Sequence, residues 1–326
     1  MHTDLVAKLI DEQTMRRLTA LAELDSALIV DDFDTPRAAA ALGEAEVIIS
    51  CWGCPPLTED VLERAPRLRA VIHAAGSVKH HITDACWRRG IQVTSAAWAN
   101  ALPVAEYTVA LVLLANKNVL RIREDYRLRR AEHDWQAAYA SAGNYHRTVG
   151  VVGASRIGRR VLELLRAHDL KLLLHDPYLR PGEAQRLGAE EVGLDELCRR
   201  SGVVSVHAPE LPATRHLINR DRLAMMRTGA TLINTARGSL VDQQALTDEL
   251  VAGRLNAVLD VTVPEVLPAD SPLYDLPNVL LTPHIAGSLG NELHRMAAAA
   301  ADELTRYVSG LPFAHPVTAE EWTRSA

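Results

Sequence analysis

The chain has 326 residues, which at roughly 150 residues per domain sets an expectation of two domains and a large buried core. Its 41 acids against 35 bases leave a formal net charge of −6, the wrong sign for a protein that lives on nucleic acid or on an anionic membrane surface. Apolar residues at 48% exclude wholesale disorder, and aromatics at only 4% favour a core of Ala, Leu and Val, which suits helices laid on a parallel sheet.

The first residues, MHTDLVAKLIDEQTMRRL, carry acids where an export signal needs a cationic start and an unbroken apolar stretch, so residence in the cytoplasm is expected. Apolar runs at Leu28–Asp31, Val47–Ser50, Ala70–His73 and Ile91–Thr94, separated by helical stretches, predict the strands of a first α/β unit. A helix is predicted from Pro103 to Arg130, followed by a loop over HDWQAAYASAGNYH. The most apolar run, Val109–Ala115, falls short of the ~20 residues that cross a bilayer, so no membrane span is expected. A second series of strands is predicted at Thr148–Val152, Leu172–His175, Val203–His207, Thr231–Asn234, Ala257–Val261 and Val279–Thr282. Their continuous apolarity indicates burial on both faces, as in a doubly wound parallel sheet. A last helix, Asn291–Val308, has no strand after it and is expected to return to the first unit.

TVGVVGASRIGRRV orders a strand, a Gly-bearing turn and a helix start as a dinucleotide site requires. Gly153 permits the tight turn and Gly158 permits close packing, while the amides near Arg156 and Ile157 would face a pyrophosphate. Ser155 stands where the fingerprint has its second Gly, so the turn alone is equally well read as an ordinary strand-to-helix connection. Asp176, ending the next strand, would accept hydrogen bonds from ribose hydroxyls and repel a 2′-phosphate, which favours NAD over NADP. Arg180 behind it counts the other way, and an Asp before Pro177 is also a common turn starter.

Cys51-Trp52-Gly53-Cys54 has the spacing of a redox motif or of half a zinc site, but no second pair exists and Cys86 and Cys198 are isolated. No metal site and no disulfide framework are expected, which again suits a reducing compartment. Trp52 follows a strand and is a candidate contact for a substrate side chain.

Three segments at later strand ends, INTARGSLVD, LDVTVPEVLP and LTPHIAG, carry polar residues in apolar surroundings. With LRAVIHAAG, VAEYTVALVLL, GVVGASRIG, VHAPELPATRHLIN and DSPLYDLPNVLLTPHIAG they form an ordered set that resembles the D-isomer specific 2-hydroxyacid dehydrogenase family, in its NAD-dependent, phosphoglycerate dehydrogenase- and hydroxypyruvate reductase-like branch. The resemblance implies two doubly wound α/β domains: a Rossmann nucleotide domain over 104–286, inserted into a flavodoxin-like substrate domain of 1–103 and 287–326. It implies hydride transfer between NAD and a D-2-hydroxy or 2-keto acid, with His284 as general acid and base, Glu265 holding its imidazole, and Arg237 gripping the substrate carboxylate. These types suit the chemistry, which needs a proton for the carbonyl oxygen and a cation to orient the acid. Cofactor contacts would come from His207, Ala208, Pro209, Thr235, Ala236 and Asp260, the last near the nicotinamide amide; a cap is the other reading of Asp260. The amides of Gly76, Ser77 and Val78 would hold the substrate carboxylate.

The chain departs from the family in two places. Val263 and Val266 flank Glu265 where an acid and a Pro are usual. The substrate loop runs through Lys79, His80 and His81 in place of a Gly and an Asp-Asn pair, so Lys79 is either an attractor for a second anionic group or a solvated lysine. A homodimer through the Pro103–Arg130 helix is implied, and feedback control through an appended domain is not expected. The rival functions are a nucleotide-sensing, corepressor-like binding protein and a phosphite- or formate-type dehydrogenase, although Ser77 occupies the position of the Lys used by the phosphite type.

Overall fold

The computed structural model describes residue 1 and residues 3–324, which divide into two compact units, Leu102–Gly287 and the chain that flanks it on both sides. Strands β1 (Val47–Ser50), β2 (Ala70–His73) and β3 (Gln92–Ser95) precede the inner unit; β4 (Thr148–Val152), β5 (Lys171–His175), β6 (Glu190–Glu191), β7 (Val203–Val206), β8 (Thr231–Asn234), β9 (Asn256–Leu259) and β10 (Val279–Leu281) lie within it; β11 (Pro316–Val317) follows.

In the flanking unit β1, β2 and β3 run parallel in that order, and β11 closes the far edge antiparallel to β3. The helix Leu293–Val308 returns to this sheet as expected. Its Met296, Ala297, Ala300, Ala301 and Leu304 are buried in one cluster with Ile72, Ala74 and Ala75, the small side chains letting helix and sheet approach closely. Glu303 on the same helix is buried and accepts hydrogen bonds from the amides of Ala314 and His315, at 2.9 and 2.8 Å, which fixes the reversal that delivers β11.

The strand expected at Leu28–Asp31 does not form. The N-terminal ammonium of Met1 takes the carbonyl of Val30 at 2.6 Å, and a turn at Asp25 holds the Leu28 amide, so groups a ladder needs are already engaged. The sheet therefore ends at β1, and Leu28–Val30 lines an apolar cavity of about 230 Å³ together with Val47–Ile49. The long helix also differs from expectation. It begins at Ala97, carries Pro103 in its interior, stops at Asn116 and resumes as Val119–Arg129, because Asn118 turns left-handed at φ 54°. Ala97–Asn116 is long and apolar enough to cross a membrane, which the Val109–Ala115 run did not suggest; here Ala99, Ala105, Leu111 and Val112 are buried in protein cores. The stretch read as a loop holds one short helix, Trp135–Ala138, capped by Asp134.

The inner unit is a seven-stranded, all-parallel sheet in the order β10-β9-β8-β7-β4-β5-β6. Strand order reverses between β7 and β4, which is the doubly wound pattern and places a crevice at the carboxyl ends of those two strands. Its central strands are buried throughout, Val149 and Val151 on β4 and Val203–Val206 on β7, which explains their unbroken apolarity.

Three buried imidazoles constrain behaviour in acid. Burial pushes His73, His81 and His207 down to about 3, 4 and 3, below the ordinary value of 6.5, so each folds neutral. Below pH 6.5 the unfolded chain therefore binds more protons than the folded one, and stability is full above that pH and falls as pH drops towards 4. Between pH 6.5 and 5, above the range where carboxylates titrate, unfolding free energies from denaturant titration are expected to fall by up to ~1.4 kcal/mol per pH unit per imidazole. A flat stability profile over that window would exclude neutral burial.

Candidate active site

Strand β4 runs into a turn at Gly153, where φ is +99° and a Cβ would lie 2.7 Å from the Ala208 amide nitrogen and 2.8 Å from the His207 carbonyl carbon. The loops leaving β4 and β7 thus touch backbone to backbone at the switch point, and only glycine permits it. At Gly158 a Cβ would fall 2.0 Å from the Gly153 carbonyl oxygen. Ser155, the departure from the fingerprint, is the N-cap of the helix Arg156–Leu165, its hydroxyl accepting from the Gly158 amide at 3.3 Å. The amides of Arg156 and Ile157 donate to no described residue and sit in the first helical turn, where an anion is favoured. Asp176 ends the neighbouring strand and turns towards this loop: its carboxylate accepts from the amides of Ala154 at 2.7 Å and Tyr178 at 2.8 Å, leaving further lone pairs for hydroxyls. Arg180 is exposed, its amide bonded to Glu183. A glycine cradle, free helix amides and a carboxylate at the next strand end fit a dinucleotide.

His207 lies within this wall and points inward. Its ring is sealed among neighbours, bonded through Nε2 to Ser205 at 2.8 Å with Nδ1 bonded to no described residue, while Ala208 is buried and Pro209 half-buried beside the turn.

The polar side chains of the last strand ends are held by backbone devices. Asn234, fully buried at the end of β8, accepts from the Ala236 amide and donates to the Arg237 carbonyl, at 3.1 and 2.8 Å, folding Thr235–Arg237 into a turn. Thr235 is itself fixed by a 3.2 Å hydroxyl contact with Thr108, and Ala236 is buried. Gly238 then lies flat against Thr262, where a Cβ would come within 2.4 Å of the Thr262 carbonyl carbon. This brings the Arg237 turn against the loop that bears Glu265. That loop is wound on itself by the Thr262 hydroxyl, bonded to the Pro264 and Glu265 carbonyls at 2.8 and 3.0 Å, and anchored by Gln243 through both atoms of its amide to Val263. Val263 and Val266 are exposed, and their departure from the family pattern leaves Glu265 in reach of its partner. Glu265 Oε1 meets His284 Nδ1 at 2.5 Å. The imidazole therefore gives one nitrogen to the carboxylate, and Nε2 is bonded to no described residue. Both side chains are about half exposed, while the Arg237 guanidinium is half-buried, bonded at 2.7 Å to the Ala236 carbonyl and without an ion pair among the described residues.

Asp260, ending β9, is 1% exposed and organises the His284 segment. One carboxylate oxygen accepts from the Thr282 hydroxyl at 2.7 Å and the Ile285 amide at 2.8 Å; the other accepts from the Ala286 amide at 2.9 Å. The carbonyl of Asp260 also takes the His284 amide, and His284 adopts a left-handed φ of 56°. Sequence reasoning missed Asn234, Thr262 and Gln243; a polar residue closing an apolar strand is the signal that marks the first two.

In the flanking unit the amides of Gly76, Ser77 and Val78 follow β2 and donate to no described residue, and the Ser77 hydroxyl accepts from the Lys79 amide at 3.3 Å. Lys79 reaches the Thr323 carbonyl at 3.4 Å and the Trp322 ring at 5.9 Å; His80 is exposed and His81 buried. Trp52 is 40% exposed on the loop after β1. Burial pushes the Cys51 and Cys54 thiols up to about 11, which makes them poor nucleophiles. Among the described residues no group of three His, Cys, Asp or Glu side chains could hold a metal ion.

Switch-point crevice, glycine cradle and carboxylate together define a dinucleotide-binding α/β protein with a His–Glu pair at its strand ends. The comparisons make this specific. Residues 109–286 match the NAD binding domain of the D-isomer specific 2-hydroxyacid dehydrogenases, and the chain belongs to that family. It is similar to a D-3-phosphoglycerate dehydrogenase from Mycobacterium bovis, 33% identical over 307 residues, covering 94% of this chain and 57% of the relative. The chain thus spans little more than half the length of that relative. It also resembles a glyoxylate/hydroxypyruvate reductase B from Pectobacterium carotovorum, 33% identical over 94% of this chain and 92% of the relative. Among solved structures, D-lactate dehydrogenase from Aquifex aeolicus, complexed with NAD and lactic acid, aligns with a TM-score of 0.67 at 28% identity, covering 91% of this chain and 92% of that one.

The packing of Gly238 gives a direct test of the site's construction. Gly238→Ala is expected to destabilise by about 1–3 kcal/mol, because a buried backbone must shift to admit the methyl group. Gly43→Ala, where a Cβ meets nothing within 4 Å in the helix Pro36–Glu44, should stabilise by up to ~1 kcal/mol. Equal effects in denaturant unfolding would refute the close approach.

Proposed function

We propose that this protein is an NAD-dependent oxidoreductase that interconverts a D-2-hydroxy acid and its 2-keto acid. The observation that carries the reading is the 2.5 Å bond between His284 Nδ1 and Glu265 Oε1, made by residues of a chain that belongs to the family. NADH, held by the Gly153–Gly158 turn and the Asp176 carboxylate, would supply the hydride for the carbonyl carbon. The carboxylate of Glu265 fixes the ring through Nδ1, so that Nε2 delivers a proton to the carbonyl oxygen and recovers it in the reverse direction. Arg237 offers a planar fork of donors to the substrate carboxylate. Asp176 disfavours a 2′-phosphate by like charge, supporting NAD over NADP. In the flanking unit the unengaged amides of Gly76, Ser77 and Val78 suit a carboxylate.

The substrate class is narrowed by Lys79, whose ammonium is engaged by the C-terminal residues Trp322 and Thr323; this supports small keto acids without a second anionic group. The four cysteines are free and three of them buried, which suits the cytoplasm. The helix Val119–Arg129 buries none of its residues and exposes Tyr126 and Leu128, at 62% and 76%, which supports a homodimer through this helix.

The decisive experiment is steady-state kinetics with glyoxylate, hydroxypyruvate, pyruvate and a phosphorylated analogue, each with NADH and NADPH. Turnover is expected with the unphosphorylated acids and NADH, and His284→Ala should lower kcat by about two to four orders of magnitude with NADH affinity retained. Tight NADH binding with no oxidation by any keto acid would turn the reading to a nucleotide sensor; turnover of formate or phosphite alone would turn it to that dehydrogenase type. For assembly, sedimentation velocity should show a dimer that Leu128→Glu converts to monomer. A monomeric unmodified protein would remove the dimer proposal.

A further inference from the structure

Beneath the substrate loop the flanking unit holds a polar cluster that the reaction as described does not use. Ser50 closes β1, His73 closes β2, and His81 lies just past the loop; all three are no more than 2% exposed. The Ser50 hydroxyl stands 2.9 Å from His73 Nδ1 and 3.1 Å from His81 Nε2, and the two rings face each other with centroids 4.5 Å apart. A hydroxyl carries one proton, so it donates to at most one of the two rings and accepts from at least one, which ties both neutral imidazoles to one oxygen. His73 Nε2 is buried and hydrogen-bonded to no described residue.

The backbone between the two histidines is that of the loop itself. The Ala74 amide bonds the Ser50 carbonyl, the Val78 carbonyl accepts from the amides of His81 and Ile82, and the His81 carbonyl accepts from Leu57. Both ends of the loop are therefore tied, while Gly76, Ser77 and Val78 keep amides that bond nothing described. Neighbouring amides without acceptors repel one another and would turn to other acceptors or to water unless the surrounding structure holds them. A Cβ at Gly76 would meet nothing nearer than 3.6 Å, so steric crowding at that glycine does not enforce the shape.

We propose that Ser50, His73 and His81 form a clamp that positions the substrate loop, one hydroxyl gripping both of its ends so that the amides of Gly76–Val78 stay presented to a carboxylate. These are positioning residues. The inference deepens the dehydrogenase reading and rests on it for the identity of the carboxylate, but not for the clamp.

Ser50→Ala removes the shared hydroxyl, His81→Leu removes one arm, and His81→Gln keeps a nitrogen at similar reach. Residue-resolved hydrogen exchange should show the amides of Ala74, His81 and Ile82 exchanging about tenfold faster in Ser50→Ala and His81→Leu, the scale of one net hydrogen bond. The amides of Arg69 and Gln92, at the opposite end of the sheet, should keep their rates, and His81→Gln should restore protection. In kinetics the KM for the keto acid should rise by about tenfold in the two broken variants, while kcat and the Kd for NADH stay within about twofold. Unchanged exchange at 74, 81 and 82, or equal acceleration at 69 and 92, would overturn the clamp, as would a fall in kcat at constant KM. Should Ser50→Ala fail to fold, the His81→Leu and His81→Gln pair decides. Should the unmodified protein reduce no keto acid, the dehydrogenase reading fails, and the exchange rates still settle the clamp.

Discussion

One buried carboxylate sets the geometry on which the site depends. Asp260 receives a hydroxyl and two amides from the segment Thr282–Ala286 and gives its own carbonyl to the His284 amide, so four hydrogen bonds converge on one residue. A carboxylate this buried is tolerable only when fully bonded, and the backbone around His284 supplies those bonds by curling about it. The curl forces His284 into the left-handed region. Tyr107, on the long helix, adds a further tie, its hydroxyl 2.9 Å from that of Thr282, and burial pushes its own titration up. The carboxylate of Asp260 is thereby tied to the histidine segment.

The nucleotide end obeys a different constraint, steric instead of electrostatic. Gly153 and Gly158 are required because backbones meet where strand order reverses, a contact that no side chain could make good. The position of Ser155 carries no such crowding, so a side chain fits there, and its hydroxyl satisfies a helix amide that would otherwise need water or ligand. A fingerprint read as three equivalent glycines undervalues this sequence; read by what each glycine must avoid, it loses little.

Those distinctions explain what the sequence made visible. Strands buried on both faces announced themselves by unbroken apolarity, and nine of the ten predicted runs coincide with strands to within a residue or two. The failure, Leu28–Asp31, has the right composition, but the amino terminus captures its backbone, a tertiary event with no local mark. β6 and β11 have two residues each, too few to show a period. The Pro103–Arg130 helix differs at its start and in its middle for related reasons: Pro103 is tolerated in its interior, and the break at Asn118 depends on a left-handed residue that Asn adopts more readily than most. Within the candidate site, the pairing of Glu265 with His284 was an expectation of the ordered set of motifs. Ser50 and His73 were not legible, because a serine and a histidine closing apolar strands resemble ordinary strand ends until the fold sets them beside His81.

The energetic character of the His284–Glu265 pair argues for its role. Both partners are half exposed, and ion pairs of that kind contribute only about 0–1 kcal/mol to folding. The left-handed backbone at His284 costs on the order of 1–3 kcal/mol. The arrangement is therefore a net burden or at best neutral for stability, and the buried bonds of Asp260, Asn234 and Thr262 are what hold it. A protein that commits its buried polar groups to presenting an exposed imidazole and carboxylate in a strained setting has organised itself around the ring nitrogen left over, His284 Nε2, and around whatever proton that atom carries.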